Sequence, residues 1–456
     1  MSADYLGNEV TGAGPATLQG INDFIRGFLA YENKAVNVLA AAEADPGCCL
    51  ANAYAAMIWM FLEAPEAPAM AAPFIASAQA AAGGASPREV LAVQMVAAWA
   101  RGDIPQVLSI CEQVAQEWPT DLAMIKLAQY HLFNLGDAPG MLRLALYALP
   151  VGENSPYVHG MIAFGYEQCH LMAQAEAAAR RAIEIEPSDP WAHHALAHVM
   201  LTLSRADEGI AFLESVAPTW AGLNSFMHTH NWWHLALFYI SRGRVADVLR
   251  SYDEHVWGRA KTYSQDQAGA ASLLARMEFA GIDVGDRWQD VAEHVAVRGA
   301  DTVSPFLTLQ YLFALARAGR PEAAVLMQAI ADRAGAPAHD RVAWAEVALP
   351  AARAIMAHRA GDYDAAIRLM GQALPRMAET GGSHAQRDLF EQIHLDALIQ
   401  AGRVSAAQQV LEMRRSYDLD GVPVNRALAQ VYEAVGLPEQ SRIAAARVSA
   451  TLARQA

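Results

Sequence analysis

Cysteine is scarce in this sequence. There are four, Cys48, Cys49, Cys111 and Cys169, and no CxxC pair. That excludes a disulfide framework and predicts a reduced, cytoplasmic compartment. Cys169 falls in a predicted helix and reads as a small buried hydrophobe rather than a reactive thiol. Positive charge is also short. Thirty-three Lys and Arg stand against 48 Asp and Glu, a net −15, and no basic block occurs. Phosphate binding needs clustered positive charge, so the expectation is no nucleic-acid partner. The charge balance implies solubility. No apolar run is long enough to cross a bilayer, so no membrane insertion is expected. The opening MSADYLGNEV has no basic segment leading into an apolar one, and no secretory signal is read there. Alternating strand patterns are nearly absent. What is present is alanine-heavy, with 54% hydrophobic residues, which favours helices packed through small side chains.

Short turn signals separate the apolar runs. They are ARGDIPQVL around Gly102, NLGDAPGML around Gly136, SRGRVADVL around Gly243, RAGRPEAAV around Gly319, RAGDYDAAI around Gly361 and QAGRVSAAQ around Gly402. Each glycine ends one helical pattern before another begins. Gly102 and Gly136 are 34 residues apart, and EWPTD and IEPSD end at Asp121 and Asp189, 68 apart or twice 34. Two antiparallel helices in 34 residues is tetratricopeptide spacing. Residues 155–188 fit one unit, with Gly160, Phe164 and Gly165 in its first helix, Ala175, Ala178 and Ala182 in its second, and Pro187 after it. The fold class predicted is all-α, a tetratricopeptide-like superhelix of antiparallel helical hairpins. It is read as one helical repeat domain over 1–456, most regular over 90–260, with longer, irregular hairpins over 261–456.

Histidines repeat on this frame. DPWAHHALAHVM starts a helix with Asp189 as its cap and Pro190 in its first turn. His194 and His198 are four apart and share a face, as do His230 and His234 in HTHNWWHLALF. The second pair follows the first by 36 residues, close to one repeat. Neighbouring helix axes lie about 8–10 Å apart, so four imidazoles could converge. Zinc or another transition metal accepts such a set, although no cofactor is strictly required. HExxH is absent, so no metalloprotease base is supplied. His193 and His228 lie off the shared faces.

The neighbours suggest a pocket. Trp191 and Trp233 beside histidines make an apolar wall with fixed donors. Lys126 and Tyr130 stand one repeat before Gly160 and Phe164 and are read as lining the same concavity. Glu167 reads as a general base, a group orienting a histidine, or an exposed acid. Asp253 and His255 sit in SYDEHVWG, where Asp253 orients a histidine or caps a backbone amide. Ser383 and Gln386 form a capping-box pattern ahead of Arg387, which is placed to hold a carboxylate or a loop.

Five stretches together carry a resemblance: DPWAHHALAH, HNWWHLALF, YDEH, GDRWQDV and GGSHAQRD. On them the chain resembles the tetratricopeptide repeat protein 38 family, as a bacterial member, from about residue 20 to 450. The resemblance implies an all-helical cytosolic repeat protein and points to His194, His198, His230, Asn231, Trp233, His234, Asp253, His255, Arg287, Trp288, Arg387 and Asp388. This chain departs from the pattern at Leu201, where a glutamate is common. It departs again at Gln129 and Tyr130, where a His-Asp pair is common, and at Thr308 and Gln310, where an Asp and a His are. The four histidines remain and polar neighbours are lost.

Two functions follow. The leading one is a binding scaffold for a protein, a peptide or a small molecule. The alternative is a metal-dependent enzyme, a hydrolase in its simplest form, with Glu167 or Asp253 moving the proton. Oligomeric state has no signature in the sequence.

Overall fold

A computed structural model describes residues 2–454. Apart from a short antiparallel pair, β1 (Ser2–Ala3) with β2 (Glu9–Val10), and a bridge between Glu32 and Leu223, the described residues are helices and turns. The protein is all-α, built of stacked antiparallel helical hairpins of the tetratricopeptide-like class. Two compact units divide it. One runs to Leu196 and includes Thr219–Met227; the other comprises Ala197–Pro218 and the chain from His228 onward.

Seven helices carry the candidate residues: α1 (Leu122–Leu135), α2 (Pro156–Gln168), α3 (Pro190–Thr202), α4 (Ser225–Arg242), α5 (Ser264–Phe279), α6 (Pro305–Arg317) and α7 (His384–Gln400). Small residues let helices approach. A Cβ added at Gly165 in α2 would lie 2.9 Å from the Leu142 Cα, so any larger residue would push the preceding helix, Ala138–Gly152, away. Ala175, Ala179 and Ala182 are fully buried in the partner helix. Ala179, rather than the expected Ala178, continues that face.

The 34-residue period extends further than its glycines. Gly102, Gly136, His170 and Ser204 stand 34 apart, and all four have left-handed backbone, with φ of 76°, 75°, 58° and 58°. At Gly136 the turn closes through amide bonds to the Leu132 and Phe133 carbonyls. His170 and Ser204 make the same turn without glycine's freedom, which hid two repeats from a reading based on glycine. Cys169 is part-exposed at the end of α2, not buried within a helix, because this turn begins there. No described helix is long and apolar enough to cross a membrane.

Candidate metal centre

The cap of α3 forms as the sequence indicates. Asp189 Oδ1 accepts from the Trp191 and Ala192 amides at 2.9 and 3.2 Å. His194 falls in the first unit and His198 in the second, both within the span of α3. His230 and His234 take the matching positions on α4. His198, His230 and His234, all in the second unit, are buried, and each offers a ring nitrogen within 4.8 Å of the others. His230 Nε2 and His234 Nε2 are 3.3 Å apart, and the His198 and His234 ring centres are 4.5 Å apart. Burial, with a smaller repulsion from His198, lowers the His230 pKa to about 3, so that ring is neutral at physiological pH.

A fifth imidazole joins from α7. His384 Nε2 is 3.5 Å from His198 Nδ1, with the rings edge to face. Two devices fix its position. Ser383 and Gln386 form the expected capping box at the start of α7. Arg276 on α5 donates to the Ala385 and Gln386 carbonyls at 2.7 and 3.1 Å, which ties the first turn of α7 to α5. Burial lowers the Arg276 pKa to about 10, against the pull of Asp388 and with the push of Arg414.

Trp233 stands beside the histidines as expected. Its ring lies parallel to that of His230, with centres 5.5 Å apart, and the Arg276 guanidinium is 5.1 Å from the indole. Trp191 stacks on His194 at 4.5 Å and on Tyr31 at 5.2 Å, within the first unit.

Of the other expected residues, Lys126, Tyr130, Asp253, His255 and Arg387 have other partners. Lys126 is buried in the first unit, donating to the Phe28 and Leu29 carbonyls at 2.8 Å each, with Nζ 3.5 Å from the Tyr31 ring centre. Burial pushes its pKa well below the usual lysine value, and Asp189 opposes that shift. Tyr130 donates to Glu63 at 2.7 Å. Glu167 is 0% exposed, so the exposed-acid reading is corrected: its position on α2 faces inward. Asp253 does not orient a histidine through its own carboxylate, which holds Arg287 by two bonds of 2.8 and 2.7 Å. His255 instead stacks flat on Trp232, 3.7 Å between centres and 10° between planes. Arg387 holds a loop, donating to the Gly382 carbonyl. His193 is structural: Trp220 Nε1 donates to its Nδ1 at 3.2 Å, and its Nε2 donates to the Pro187 carbonyl at 2.9 Å.

No protein-family model matches the chain. Among solved structures it is similar to the human IFIT1 dimer with PPP-AAAA, at 11% identity and TM-score 0.41, covering 98% of this chain and 95% of that one. The human IFIT1 dimer with m7Gppp-AAAA matches at 10% identity and TM-score 0.41, covering 96% and 95%. An IFIT1 monomeric mutant with Gppp-AAAA matches at 10% identity and TM-score 0.40, covering 95% and 99%.

These matches correct one expectation. The sequence reading excluded a nucleic-acid partner, yet the matched chains of similar architecture are solved with PPP-AAAA and its capped forms. A net charge sums the whole surface and excludes no local site.

Sequence reasoning missed His384 as a member of the histidine group. It stands 186 residues from His198, off the 34-residue ladder, and its only local signal was its place in GGSHAQRD.

Proposed function

We propose that the protein binds one transition-metal ion, zinc first among them, through His198, His230 and His234 of the second unit. One observation carries this reading: three buried imidazoles of the second unit place a nitrogen each within 4.8 Å of the others. Buried polar rings need partners, and a tetrahedral ion satisfies three at once and keeps a fourth position open. The donor set is all nitrogen, which suits zinc, copper, nickel or iron over calcium or magnesium. The Trp233 ring stacked on His230 restricts how that imidazole turns, and the Arg276 bonds to α7 hold His384 against the edge of His198.

The metal is read as the working site of a cytoplasmic repeat protein resembling the tetratricopeptide repeat protein 38 family. Stacked hairpins also favour a scaffold that takes a protein, peptide or small molecule on its surface. In the hydrolase alternative, a bound zinc supplies an activated water. Of the two acids named for moving the proton, Asp253 is engaged by Arg287, which leaves Glu167.

The test is elemental analysis and anomalous scattering on full-length protein purified without added metal. One metal per chain on at least three of these histidines supports the reading. Imidazoles bonded only to carbonyls and waters, with no metal near neutral pH, overturn it.

A further inference from the structure

Beside His230 the second unit contains a small chamber. Its walls include His230, Trp233, Gln265, Gly269, Ser272 and Gln386, and it leaves about 10 Å³ for the centre of a water-sized sphere. That is the room of about one water. Trp233 is 1% exposed, and its Nε1–H has no hydrogen-bond partner. A buried donor left unmade is costly, and the residue that carries it lines this chamber.

Gly269 gives a second, independent sign. It lies in the interior of α5, where glycine weakens a helix relative to alanine. Nothing in the packing calls for it, since an added Cβ would meet no atom within 4 Å. Its effect is to keep space open. Gly269 and Gln265 are part-exposed while His230, Ala268 and Ser272 are buried, so the lining runs from the surface inward.

The buried Arg276 guanidinium lies over Trp233 and donates to the Ser272 hydroxyl and the Gln386 carbonyl. Two lining residues are therefore held by one cation, Arg276.

We propose that this chamber binds one water-sized ligand with an acceptor atom, a water or a monatomic anion, on Trp233 Nε1 beside His230. Trp233 and Gly269 carry this assignment without a metal. It rests on the metal reading only for the ligand's second partner, the ion on His230, toward which the chamber would keep a coordination position open.

The probe is fluoride, which has the size of water and accepts hydrogen bonds. Full-length protein labelled with ¹⁵N-tryptophan is titrated with sodium fluoride against sodium chloride, both metal-free and zinc-loaded. The Trp233 indole resonance is assigned by its loss in Trp233→Phe. The expected result is a saturable shift of that resonance with fluoride, reached at lower concentration with zinc, and lost in Gly269→Leu. A crystal structure of the wild type should show a density peak within hydrogen-bond distance of Trp233 Nε1, which keeps the test open if Gly269→Leu does not fold. An indole unmoved by fluoride in both forms, a shift that persists in folded Gly269→Leu, or a wild-type crystal without the peak would overturn the proposal. A fluoride response without any zinc uptake sinks the metal reading and leaves the chamber. Zinc uptake without a fluoride response does the reverse.

Discussion

The Nε2 atoms of His230 and His234 lie 3.3 Å apart, one helical turn separating their residues in a buried face of α4. Two neutral imidazoles satisfy that approach when one donates and the other accepts, or when both accept around a cation. The second arrangement also takes in His198, whose ring centre is 4.5 Å from that of His234.

Zinc should therefore stabilise the fold. At a free concentration 100 times its dissociation constant the gain is about 2.7 kcal/mol, read as a rise in Tm. His198→Ala should remove the zinc-dependent part of Tm while the protein stays folded. A zinc-induced rise equal in wild type and His198→Ala would place the binding elsewhere.

Lys126 should behave as a structural residue. Its ammonium satisfies the Phe28 and Leu29 carbonyls and lies against Tyr31. Lys126→Ala leaves both carbonyls unmet and should cost about 3 kcal/mol in denaturant unfolding. Stability unchanged in that variant, with binding of a small molecule lost, would return Lys126 to a pocket role.

His170 holds a left-handed backbone at φ 58° in the position where the preceding repeats have Gly102 and Gly136. Such a conformation costs a side-chain-bearing residue about 1 kcal/mol. His170→Gly should be neutral or stabilising by up to about that amount in thermal melts. A clear loss of stability would mean that the imidazole's own contacts outweigh the backbone strain.

Acid should weaken the α7 anchor. Burial alone would raise the Asp388 pKa, but Arg414, at 2.5 and 3.1 Å, outweighs it and holds the carboxyl at about 2. The folded value lies below the usual 3.8. The stabilisation is thus full above about pH 4 and is lost as pH falls toward 2. Urea unfolding across that window should show the loss in wild type and a flatter response in Arg414→Leu. Equal slopes in the two proteins would remove this pair from the acid response.

Much of the candidate centre was legible locally. The spacing of His194 to His198 and of His230 to His234 places each pair on one face, since a helix turns once in about 3.6 residues. Asp189 and Ser383 announce their caps because a side-chain acceptor ahead of free amides is a local matter. The glycine turns gave the hairpins and, through Gly102 and Gly136, the repeat length. What the sequence by itself determined is which residues share a face and where each helix starts and stops. The tertiary structure alone decided which faces meet. It brought His384 to His198, turned Glu167 inward, engaged Lys126 with backbone carbonyls, and left Trp233 Nε1 without a partner beside the open space at Gly269. Helical periodicity acts over a few residues, whereas those outcomes depend on packing between helices far apart in the chain, where the loss of water and the fit of side chains decide which groups are satisfied.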